Sequence, residues 1–138
     1  MRRDSDRVLC RTGDSVWSPI FCQDETLSRR FSEGLLHTVA PYNSDPDRDS
    51  ALQSCYHNSL RLASHLSGPR APRVVTALLG TGVKEVSQTS STEALCRALT
   101  SLTRHQPGWE CHLELVLQPL PETDVGGVCQ TLESSLKL

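Results

Sequence analysis

Two short apolar stretches open the pattern, Ser15-Val16-Trp17-Ser18 closed by Pro19 and Gly34 to Ala40 closed by Pro41, and each predicts a strand. Leu52, Cys55, Tyr56, Ser59, Leu60, Ala63 and Leu66 then recur at helical spacing. A helix is expected from Ser50 to about Ser67, begun by a Ser50/Gln53 capping box and ended at Ser67-Gly68-Pro69. Arg73 to Leu79 is a continuous run of β-branched and aliphatic residues, the pattern of a buried strand. Ser90 with Glu93 forms a second capping box, and Ala94, Leu95, Ala98, Leu99 and Leu102 give the next helix its buried stripe. Gln106-Pro107-Gly108 stops that helix. Cys111 to Gln118 alternates, with Leu113, Leu115 and Leu117 on one face and Glu114 on the other, as a strand near an edge does. Val125, Val128, Cys129, Leu132 and Leu136 predict a closing helix whose first turn Gly126-Gly127 weakens by about 1 kcal/mol per glycine.

Strand, strand, helix, strand, helix, strand, helix is the order of an α/β chain with a mostly parallel sheet covered by helices. In such sheets ligands sit beyond the carboxyl ends of the strands. The Arg73 to Leu79 strand ends there in Gly80-Thr81-Gly82, where two glycines let backbone N–H groups converge on an anion without interference from Cβ. The same three residues suit a bare structural turn equally well.

A chain of 138 residues is one domain's worth. Aromatic residues are few, so the core is expected to be aliphatic. Fourteen basic and 16 acidic side chains leave a net charge of -2, with no basic block beyond Arg2-Arg3 and Arg29-Arg30, which argues against broad binding to nucleic acid. The mixed-charge start, Met1 to Arg7, does not read as a secretory signal, and no run has the roughly 20 apolar residues of a membrane span. An intracellular protein, cytoplasmic or nuclear, is expected, with residues 1–9 a flexible extension and the stretch from Gln23 to Ser32 a loop. The six cysteines form no Cys-x-x-Cys pair and read as reduced thiols in apolar positions. Cys111 and His112, as strand neighbours, point to opposite faces, so no metal site is expected and no cofactor is called for.

Familiar chemistries find little support. The loop lacks the Gly-Lys-Ser/Thr of a triphosphate-binding loop, and Glu85 stands where a dinucleotide fingerprint needs its third glycine. No Gly-x-Ser-x-Gly elbow is present, and no catalytic residue is assigned. Asp45, Asp47 and Asp49 lie in a solvated turn. His37 reads as a buried, hydrogen-bonded histidine rather than a base, Trp17 as a core or edge aromatic, and Tyr56 as packing.

Four segments in order nevertheless resemble a known family. They are Cys10-Arg11-Thr12-Gly13-Asp14-Ser15-Val16, then His37-Thr38-Val39-Ala40-Pro41, then Leu52-x-x-Cys55-Tyr56-x-Asn58-x-Leu60-x-Leu62-Ala63, then Ala77-Leu78-Leu79-Gly80-Thr81-Gly82-Val83. Together they resemble the later half of a macro domain, and they span nearly the whole chain. The resemblance implies a three-layer α/β/α module, here a partial macro-like domain over residues 10–138, truncated at its N-terminus. It implies that Leu79, Gly80, Thr81, Gly82 and Val83 surround the diphosphate and distal ribose of ADP-ribose, free or attached to a protein.

The chain also departs from the family. Only nine residues precede Cys10, so the strand that carries the family's asparagine and the glycine-rich loop is expected to be missing. Lys84 occupies the place of the aromatic that usually follows Gly-Thr-Gly-Val. The resemblance therefore implies ADP-ribose binding, degenerate or weak, rather than catalysis. The alternatives are a non-binding interaction module, pairing or self-associating through an exposed sheet edge, and an ADP-ribosyl hydrolase.

Overall fold

A computed structural model of the chain describes residues 10–19, 34–118 and 122–136. The expected N-terminal extension, the Gln23 to Ser32 loop and Cys22 lie outside these. Along the described residues the order is β1 (Ser15–Ser18), β2 (Leu35–Thr38), α1 (Arg48–Ser67), β3 (Arg73–Ala77), α2 (Gln88–His105), β4 (His112–Val116) and α3 (Val125–Leu136). The chain is mixed α/β, and the element order follows the periodicities.

The sheet differs from the single, mostly parallel one expected. Among the described residues the strands form two separate pairs. β1 and β2 are antiparallel, with Ser15 opposite Thr38 and Ser18 opposite Leu35. β3 and β4 are parallel, with Arg73 opposite His112 and Ala77 opposite Val116, and α2 is the crossover between them. The periodicity that identifies a strand carries no information on its neighbour or direction, and direction was what the expectation added.

Both helices begin earlier than their predicted capping boxes. α1 starts at Arg48 after Asp47, and the Ser50 hydroxyl donates back to the Asp47 carbonyl at 3.0 Å instead of capping an amide. α2 starts at Gln88, where the Ser87 hydroxyl accepts from the Ser90 amide at 3.1 Å. Ser87 follows the buried Val86 directly, so the cap sits where the chain leaves the core. β3 ends at Ala77, two residues short of expectation, because side chains rather than a neighbouring strand satisfy the backbone of Leu79.

The core lies between α1 and α2. Leu52, Tyr56 and Leu60 meet Ala94, Leu95, Ala98 and Leu102 there, closed at one end by Val86. Val74 and Leu113 from the inner face of β3 and β4, and Leu132 from α3, pack against its side. Leu66, expected on the buried stripe, is exposed near the end of α1, and Val125 and Cys129 are exposed on α3. The outer face of the parallel pair carries Arg73, Val75, Ala77, His112, Glu114 and Val116, all exposed, with Val75 at 41% and Val116 at 47%. Leu78 by contrast is buried, and Val74 and Leu79 are half-buried.

Candidate functional site

β3 delivers the chain to the predicted loop, and two helices hold it there. The Leu79 amide donates to the Tyr56 hydroxyl at 2.8 Å, and the Ser91 hydroxyl donates to the Leu79 carbonyl at 2.7 Å. Ser91 has one proton and spends it on that carbonyl, so Tyr56 is the donor in the 2.7 Å bond between the two hydroxyls. Burial pushes the Tyr56 phenol above its ordinary range, against the opposing effect of its bonds to Ser91 and Leu79. Tyr56, expected only to pack, is a positioning residue. The signal for Ser91 was its place one turn before Ala94 and Leu95, a hydroxyl extending the apolar stripe of α2.

Beyond Leu79 the backbone turns outward. Gly80 takes a φ of 79°, and a Cβ there would meet Val86 Cγ2 at 3.0 Å, so the position needs glycine for conformation and for space. The Val86 amide returns to the Gly80 carbonyl at 2.9 Å, and the Glu85 amide to the Gly82 carbonyl at 3.0 Å. The Thr81 hydroxyl is turned inward to the Leu78 carbonyl at 2.8 Å. Glu85 closes the loop in the left-handed region, with a φ of 62°, which costs a residue with a Cβ.

Gly82 and Val83 stand outside, Val83 at 91% exposure. Among the described residues the amides of Gly82, Val83 and Lys84 have no hydrogen-bond acceptor. Three successive N–H groups at an exposed turn suit an anion. Lys84 does not extend into solvent as a free ammonium, because its Nζ lies 3.9 Å from the centroid of the Tyr42 ring. The backbone fixes that neighbourhood, since the Asn43 amide donates to the Lys84 carbonyl at 2.9 Å and Arg48 holds the Asn43 side chain.

α1 joins all four segments of the sequence resemblance. Cys55 Sγ donates to the Val39 carbonyl at 3.2 Å, Tyr56 holds Leu79, and Asn58 Nδ2 donates to the Gly13 carbonyl at 2.9 Å. Cys55, Cys96 and Cys111 are thiols pushed above the ordinary range, each mainly by burial. His37 is exposed rather than buried, and its Nε2 lies 2.7 Å from Ser18 Oγ. Trp17 is an exposed strand aromatic opposite Leu36. Asp45 accepts from the Tyr42 amide at 3.0 Å, and Asp49 pairs with Arg48 at the surface.

Two grooves lie away from the loop, one of about 530 Å³ along α2 at Cys96, Arg97 and Arg104, the other of about 890 Å³ at Asp14, Asn58, Arg61 and His65. Neither is walled by Leu79 to Val83, of which Gly82 and Val83 are exposed. Among the described residues no cluster of His, Cys, Asp or Glu could hold a metal ion, and no helix is long and apolar enough to cross a membrane. No model of a known protein family matches the chain, and no curated protein matches it.

Proposed function

We propose that the chain is a macro-like α/β module that binds ADP-ribose, or a protein carrying it, through the loop from Leu79 to Val83. The observation that carries this reading is the loop itself. Its root is clasped by Tyr56 and Ser91, its turn is set by Gly80, and among the described residues the amides of Gly82, Val83 and Lys84 have no acceptor, with the Lys84 ammonium lying over Tyr42. A diphosphate supplies the charge and the acceptors that such a turn suits. The convergence of the four resembling segments on α1 supports the finer reading of a three-layer macro-like fold, of which β3, α2 and β4 would form part. Binding without catalysis is the activity proposed, as no nucleophile and base converge on the loop among the described residues.

Calorimetric titration with ADP-ribose tests this. Heat that saturates at or below millimolar ligand is expected, and none from a protein shown to be folded by circular dichroism overturns it. Gly82→Glu is the matched control. A Cβ at Gly82 meets nothing within 4 Å and the position lies outside the left-handed region, so the variant folds while placing a carboxylate where the anion would sit.

A second reading has its own observation. Val75, Ala77 and Val116 form an apolar strip on the open face of a two-stranded parallel sheet, and parallel sheets are as a rule covered on both faces. An interaction module that pairs through this sheet is the alternative, and light scattering across a concentration series tests it through self-association.

A further inference from the structure

We propose that Tyr42, covered by Lys84 until an anion draws the ammonium away, is the selectivity element of the loop, so that it takes a diphosphate carried on a sugar or nucleoside in preference to the bare inorganic anion. This rests on the loop's reading as a diphosphate site and adds the part of the ligand that adjoins the phosphates.

Tyr42 is placed for such a role. It follows the buried Pro41, its amide is held by Asp45 at 3.0 Å, and the next amide is bonded to the Lys84 carbonyl at 2.9 Å. The backbone that carries the ring is thus fixed at the border of the loop, while the residue is 52% exposed and contributes nothing to the core. Its partner in the described residues is the Lys84 ammonium, 3.9 Å from the ring centroid.

The contact is exchangeable. A solvated ammonium over an aromatic ring is held more weakly than one bonded to a phosphate. Lys84 follows Val83 directly and has a flexible four-carbon stem. A diphosphate at the Gly82 to Lys84 amides draws the ammonium off the ring. That clears an aromatic face beside the anion, and a furanose or a base attached to the phosphates covers it. Inorganic pyrophosphate gains the ammonium but has nothing to lay on the ring.

The test is a titration of the full chain with ADP-ribose and with inorganic pyrophosphate, read as the ratio of the two affinities. In Tyr42→Ala the ratio falls about tenfold, the scale of one lost ring stacking contact, and Tyr42→Phe restores it. Lys84→Met weakens both probes and leaves the ratio near its starting value. A ratio unmoved by Tyr42→Ala, or not restored by phenylalanine, overturns the selectivity role. If both probes still bind the parent and are lost in Gly82→Glu, the loop reading survives that result. If the parent binds neither probe, or Gly82→Glu binds as the parent does, the loop reading fails and takes this proposal with it.

Discussion

The hydroxyls of Tyr56 and Ser91 lie 2.7 Å apart and between them satisfy both the amide and the carbonyl of Leu79. Two helices therefore supply the strand end with the hydrogen bonds that a further strand would otherwise give. Tyr56→Phe removes the acceptor of the Leu79 amide and is expected to cost about 1–3 kcal/mol. Ser91→Ala is expected to cost a similar amount, about 1–3 kcal/mol. The double variant falls short of the sum, since each single change already opens the ring of bonds. Urea unfolding of all four proteins closes the cycle, and strict additivity would show that the clasp is not a unit.

Within the loop, three backbone positions make opposite demands. Gly80→Ala forces a Cβ into Val86 at a φ of 79° and is expected to destabilise by about 1–2 kcal/mol. Gly82→Ala is expected to be neutral. Glu85→Gly, at a φ of 62°, is expected to stabilise by about 0.5–1 kcal/mol. Thermal melts order the three, and a stabilising Gly80→Ala would contradict the loop geometry.

The paired glycines of α3 are not equivalent either. Asp124 accepts from the Gly127 amide at 2.9 Å, and a Cβ on Gly127 would fall inside that carboxylate, whereas one on Gly126 meets nothing closer than 3.7 Å. Gly126→Ala is expected to gain up to about 1 kcal/mol in helix propensity. Gly127→Ala gains little, because displacing the Asp124 cap costs about 1 kcal/mol. On an Asp124→Ala background the Gly127→Ala gain returns, which denaturant melts can measure.

Alkaline conditions provide a further check. The thiols of Cys55, Cys96 and Cys111 have an ordinary value of 9.0 and the Tyr56 phenol one of 10.0, and burial raises all four in the folded chain. Above pH 9 the unfolded chain releases these protons while the folded chain keeps them. The stabilisation they contribute is complete below the ordinary values and is lost as pH rises through the folded ones. The melting temperature should decline from pH 9 upward, more shallowly in Cys96→Ala. Alkylation mapped by mass spectrometry should label Cys55 and Cys96 only after denaturant is added.

Periodicity was enough to place every element of the described residues, because a buried stripe must repeat as its helix or strand does. It did not reveal how strands pair, since Val74 and Leu36 show the same alternation whichever direction their neighbours run. Cap positions were misjudged where serines crowd together. Ser87 and Ser90 are both competent, and the burial of Val86 decided between them. At the site, Gly80 to Val83 was legible as a turn after a strand. Its supports were not, because Tyr42 and Tyr56 lie far from it in sequence and Ser91 lies in the next helix, and only the fold gives a hydroxyl or a ring its partner.

Cys55, Tyr56 and Asn58 occupy a single turn of α1, and their bonds reach across 16, 23 and 45 residues of chain to Val39, Leu79 and Gly13. The consequence is kinetic. All three loops depend on that one turn for these bonds. Once folded, an opening of that one turn breaks all three bonds at once, and the Leu79 amide, which donates to Tyr56, should exchange with deuterium as the turn opens.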